Sequence, residues 1–179
     1  MRRYAAAMTT SLLADPFRHH TWANERLLEA CAALTPAQLA ASSPGTYGPI
    51  INTLRHLVQA DSFYLWVFNG QDYPLIPGDN QLNVAELREA NTLHSAGYEE
   101  LLSATIDPDA EITERGDTSE FTTTMGVRLS QVIHHGTDHR SQVCTALTGL
   151  GIAPPDIDVW AYGDATGVNR ETEVAASEG

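Results

Sequence analysis

Apolar residues recur at helical spacing through four long stretches of this chain, and the breaks between them are rich in glycine and proline. In the first, Asp15-Pro16 reads as a helix start, a capping acid followed by proline at the first helical position. Phe17, Trp22, Leu27, Leu28, Cys31 and Leu34 then supply its apolar positions. Thr35 to Leu39 predicts a new short turn of helix, and Ser42 to Pro49 a loop. The second long helix is predicted from about Ile50 to Asn69, on the spacing of Ile51, Leu54, Leu57, Val58, Leu65 and Phe68, with Asn69-Gly70 to end it. Gln71 to Gln81, with Pro74, Pro77 and Gly78, connects to a third helix over roughly Asn83 to Thr105, capped by Asn83 and with Pro108 beyond its end. Glu111 to Arg115 and Glu120 to Thr124 flank Gly116-Asp117 and predict a small hairpin. The fourth long helix is predicted to begin at Met125 or Gly126 and to end at Gly149 or Gly151.

The pattern is all-α: a four-helix bundle with a small β-hairpin before the fourth helix, in a single domain spanning 1–179 with its core in about 12–163. Trp160 and Tyr162 in the tail are expected to pack back on the bundle, and the last dozen residues, which are polar, to fray. No apolar run approaches the ~20 residues that cross a bilayer. The basic start, Met1 to Met8, carries too short an apolar stretch for a signal peptide, so a cytoplasmic location is expected. A formal charge of −13 argues against nucleic-acid binding, which needs clustered basic side chains. All 10 basic residues are arginine, which removes Schiff-base chemistry and a lysine general base. Cys31 and Cys144 form no CxxC spacing and read as small buried hydrophobes.

The candidate chemistry lies in His135-Gly-Thr-Asp-His139-Arg140-Ser-Gln142. Residues four apart share a helix face, so the imidazoles of His135 and His139 can converge on one ion. The Glu of H-E-x-x-H is missing, which speaks against peptidase chemistry. His134 and Asp138 form a second, interleaved pair about 100° round the helix, and only one pair can face the interior squarely. The residues alone fit a metal pair and two hydrogen-bonded core histidines equally well. A transition-metal site needs a third ligand, and His56, amid Leu54, Leu57 and Val58, is the best candidate. His19, His20 and His94 are expected at the surface. Asp138 reads as a hydrogen-bond acceptor for an imidazole or, more simply, as a solvated acid. Paired Glu-x-x-His motifs of di-iron bundles, phosphate loops and a nucleophile elbow do not occur, which leaves a mononuclear tri-histidine site with an open position.

Most of the chain resembles the DinB/YfiT-like superfamily of metal-dependent bundles. The resemblance runs in order through Trp22-Ala-Asn-Glu-Arg26-Leu-Leu, Asn52-Thr-Leu-Arg-His56-Leu-Val, His134 to Gln142 and Leu147 to Trp160. Where the family often carries Asn-His-x3-His-Arg-x-Gln, this chain has His134 in place of the Asn. The resemblance implies His56, His135 and His139 as metal ligands, an up-down-down-up topology with a long second-to-third connection, and a homodimer. It also implies that some relatives are thiol transferases or isomerases using bacillithiol, mycothiol or glutathione.

One divalent transition metal per chain, zinc or nickel, is therefore expected, with a low-molecular-weight thiol as a candidate cosubstrate for S-transfer to an electrophile. Arg140 could orient an anionic group of a substrate or make a structural ion pair, and Gln142 could hold a ligand or a backbone group. The alternatives are a non-catalytic metal-binding stress-response protein and a metal-dependent hydrolase. A structural site would need a fourth ligand, from a loop, Asp61 or a second chain.

Overall fold

The computed structural model describes residues 12–70, 72–116 and 118–172. The long helices are α1 (Ala14–Ala32), α3 (Ile50–Phe68), α4 (Val84–Ser103) and α5 (Met125–Gly149); α2 (Pro36–Leu39) and α6 (Val159–Ala165) are short. Strands β1 (Glu111–Arg115) and β2 (Glu120–Thr124) pair antiparallel, Glu111 opposite Thr124 and Arg115 opposite Glu120. The basic opening stretch, Asp117 of the hairpin turn and 173–179 of the polar tail lie outside the described residues.

Two clusters of buried side chains give the helix directions. One gathers Leu28 and Cys31 of α1, Ile50 and Leu54 of α3, Leu87 of α4 and Leu147 of α5. The other gathers Phe17, Leu65, Leu102 and Leu129 of the same four helices. Early residues of α3 and α4 thus lie beside late residues of α1 and α5. The order is up-down-down-up, with Phe68 to Val84 as the long crossing connection. Between the clusters, at mid-height, lie polar side chains from all four helices.

Local chemistry explains most element boundaries. Thr35 and Gln38 close a capping box on α2, and Asn83 and Glu86 close another on α4. Thr124 ends β2 and also caps α5 through Val127 N–H, so the hairpin is fixed rigidly to the start of that helix. Cross-strand hydroxyls of Thr113 and Thr122 hydrogen-bond at 2.8 Å. The first helix starts earlier than Asp15-Pro16 suggests: Leu13 holds the cap position, and Asp15 and Pro16 sit in the first turn. Proline is tolerated there because first-turn amides have no intrahelical partner. Tyr162 packs against Trp22 with centroids 5.6 Å apart, whereas Trp160, expected to pack too, is 74% exposed. No helix among the described residues is long and apolar enough to cross a membrane.

Candidate metal centre

His56 lies mid-way along α3 and faces His135 and His139, one turn apart on α5. The rings form a tight triangle, with centroid separations of 5.0 Å (56 to 135), 4.7 Å (56 to 139) and 4.4 Å (135 to 139). One nitrogen from each ring lies within 4.8 Å of the others. His56 Nε2 and His135 Nε2 are 3.1 Å apart. Two imidazole nitrogens on one tetrahedral zinc would be roughly 3.3 Å apart, so this donor set fits a divalent ion. Of the interleaved pairs, His135 and His139 face inward; His134 and Asp138 are exposed.

Gln142 and Tyr47 build the wall. Gln142 Oε1 accepts the Tyr47 backbone N–H at 2.9 Å and lies 3.2 Å from His139 Nδ1. A carbonyl oxygen only accepts, so the His139 proton sits on Nδ1 and its Nε2 lone pair is left for an ion. The Tyr47 ring stacks on His56 at 4.4 Å and 10°, and the edge of Tyr64 meets His135 at 5.8 Å. His135 Nδ1 is buried without a hydrogen-bond partner.

Burial, then the proximity of His139 and His56, pushes the His135 pKa down to about 4. Burial, then His139, lowers that of His56. Both rings therefore favour the unprotonated form that metals bind. The unfolded chain takes up its His135 proton near pH 6.5 and the folded chain only near 4, so this group removes stability as pH falls through that window. In protein stripped of metal by chelation, a histidine NMR titration should place the His135 midpoint near 4. A midpoint of 6 or above would refute the packed arrangement of the rings.

Directly behind α5 lies a second polar cluster. Asp61, 1% exposed, accepts from His20 Nε2 at 3.0 Å, Asn24 Nδ2 at 3.1 Å and the Tyr98 hydroxyl at 3.0 Å. Burial works to raise the Asp61 pKa, but the hydrogen-bonded His20, then the nearby His94 and the Tyr98 hydrogen bond, outweigh it and hold the carboxyl below the ordinary value. Arg140 donates to Asn24 Oδ1 at 2.8 Å and to His20 Nδ1 at 3.1 Å, and burial lowers its pKa to about 10. Because guanidinium only donates, His20 Nδ1 must accept, and its proton sits on Nε2 toward Asp61.

Three expectations change as a result. His20 and His94 are buried, at 0% and 2% exposure, and His19 is half-buried; none of the three is a fully exposed surface histidine. Asp61, offered as a fourth ligand, is committed to His20, Asn24 and Tyr98. Arg140 turns toward that cluster, and its partners are Asn24, His20 and Thr137 rather than an acid.

Beside the histidines a cavity of about 410 Å³ opens between α3, β2 and the start of α5. His56 and His135 form part of its wall, together with Phe63, Tyr64, Phe121 and Arg128. Sequence reasoning passed over Tyr47, Tyr64 and Arg128. Arg128 and Tyr64 sit seven and eight residues from His135 and His56, a two-turn spacing that was available as a signal; Tyr47 sits in a loop with no periodicity to read.

A comparison with curated proteins finds none that matches the chain. The DinB family model matches residues 8–174, a span that contains the whole bundle and all three converging histidines, and the chain belongs to the DinB family.

Proposed function

We propose that the chain holds one divalent transition metal, zinc or nickel, on His56, His135 and His139, and transfers the sulfur of a low-molecular-weight thiol to an electrophilic carbon. The observation that carries this reading is the convergence of three imidazoles, two of which, His56 and His135, line the wall of a cavity. Family membership supports it, as does the commitment of Asp61 elsewhere, which leaves a three-histidine set with room for an exchangeable partner. A divalent ion there supplies the charge that lowers a thiol's pKa enough to keep it as thiolate at neutral pH. The chain's own residues do the rest. Gln142 and Tyr47 fix the His139 and His56 rings, and the cavity wall excludes water and presents the electrophile. Sulfur forms the new bond to carbon, the leaving group departs with its electron pair, and the thiol proton passes to solvent.

Metal analysis of untagged protein should find about one ion per chain. His56→Ala and His135→Ala should each weaken binding by more than about 100-fold, since even partners that only orient a ligand are worth ~10–100-fold. Gln142→Ala should fall in that lower range. Loaded protein should consume an electrophile such as monobromobimane faster than bacillithiol, mycothiol or glutathione does without protein, and should show no turnover when the thiol is left out. Wild-type protein that refuses both zinc and nickel would end this reading, and thiol-independent turnover would replace it with hydrolysis.

A further inference from the structure

The turn of α5 that carries His135 and His139 is held from behind by α1. Gly136, next after His135, has no side chain, and the His20 ring occupies the space: a Cβ there would lie 2.5 Å from His20 Nδ1. One turn on, Arg140, next after His139, donates to Asn24 Oδ1 at 2.8 Å. Asn24 and Arg140 are 116 positions apart, as are His20 and Gly136, so the two helices run in step here. The His20 ring is used at both ends. Its Nδ1 accepts from Arg140 at 3.1 Å and its Nε2 donates to Asp61 at 3.0 Å, and none of the three residues is more than 3% exposed. Asp61 belongs to α3, five positions after His56. Helices α3 and α5 are therefore joined twice at mid-height, once across the three converging histidines and once through His20. An aromatic ring bonded at both nitrogens has no freedom to shorten or lengthen, so the second connection fixes the width available to the first. Metal donors must be held to within ~0.5 Å of their working positions.

We propose that His20 is a positioning residue of the metal centre: bonded to Arg140 on α5 and Asp61 on α3, and seated against Gly136, its ring sets the spacing at which His56, His135 and His139 close on an ion. The inference rests on the metal half of the proposed function and not on sulfur transfer. It gives the buried polar cluster a role beyond stability, because removing His20 lets α5 move relative to His56 while the two apolar clusters stay packed.

The test compares full-length wild type, His20→Ala, Gly136→Ala, their double, and Leu87→Ala, each in buffer where it is folded. Leu87 is a fully buried α4 residue packed with Ile50 and Leu147, and its truncation is the control for general loosening. In His20→Ala, zinc should bind at least about tenfold more weakly, the range expected for a group that orients ligands. The visible band of the cobalt(II) form, which reports ligand geometry, should change with it. In metal-stripped protein the NOE between the His56 and His135 rings, whose Nε2 atoms are 3.1 Å apart, should be lost in His20→Ala. Leu87→Ala should keep the wild-type zinc affinity, band and NOE. Gly136→Ala attacks the same contact from α5 and carries the test if His20→Ala does not fold. The double should lose less affinity than the two single losses combined. Wild-type zinc affinity with an intact NOE in His20→Ala would overturn this inference alone, as would equal losses in Leu87→Ala or strict additivity in the double. Wild-type protein that refuses both zinc and cobalt would overturn the metal reading, and this one with it.

Discussion

Gly136→Ala is expected to destabilise the fold by about 1–3 kcal/mol, although the same exchange in an open helix stabilises by ~1 kcal/mol. The reason is the approach of α1 to α5. A Cβ on Gly136 would lie 2.5 Å from His20 Nδ1 and 2.8 Å from Arg140 Nη1, and still closer to His20 Cε1. Neither neighbour can step aside cheaply. His20 is 0% exposed and held by Asp61, and Arg140 is held by Asn24. The added methyl must therefore push α5 outward, and His135 and His139 lie on either side of it, so zinc affinity should fall as well. At Gly149, where a Cβ would meet only Ser43 Oγ at 3.2 Å, the same substitution should be close to neutral. Urea unfolding of both variants, with His20→Ala and the His20→Ala/Gly136→Ala double, checks the cause. The double should cost clearly less than the sum, because His20→Ala vacates the space the methyl needs. A Gly136→Ala protein as stable as wild type, or strict additivity in the cycle, would rule the contact out.

Periodicity and punctuation made the bundle readable. Leu54, Leu57, Val58 and Leu65 recur at helical spacing, Asn83 announces its own cap, and Gly116-Asp117 marks the turn between the two strands. These are local signals, and local physics sets them. The histidine pair of α5 was legible for the same reason, as was the place of His56 on α3. What could not be read were contacts between helices. His20 looks like a surface residue beside Arg18 because nothing nearby in sequence names Asp61, its partner 41 positions on, and nothing beside His94 announces that it is buried. Arg140 sits beside a candidate ligand and so suggests a substrate clamp, yet its partner Asn24 lies 116 positions earlier. Tyr47 reaches the site through Gln142, 95 positions on. Buried polar groups choose partners by space, and sequence distance carries no record of that choice.

The same separation makes Asp61 the most consequential single residue of the interior. Asp61→Ala is expected to cost about 3–5 kcal/mol, the usual result of breaking a buried ionic cluster from one side. Against a total stability of roughly 5–15 kcal/mol, such a protein would be close to unfolding at moderate temperature. Three donors, from His20, Asn24 and Tyr98, would lose their acceptor at once, and the Arg140 guanidinium would keep its charge in a buried setting. Asp61→Asn does not rescue this, because its amide NH₂ must face one of those donors; a loss of about 1–3 kcal/mol is expected. Charge and packing are separated by pairing Asp61→Leu with Arg140→Met. With both ions gone, the interior holds no uncompensated charge, and the double should be more stable than Asp61→Leu alone. Urea midpoints, compared at equal slope, measure the five variants, the Arg140→Met single included, against wild type. An Asp61→Ala variant within about 1 kcal/mol of wild type would show that the cluster is solvated in solution. A double variant that loses the full sum of its singles would show that Asp61 and Arg140 act independently, and that Asn24 and His20 do not couple them.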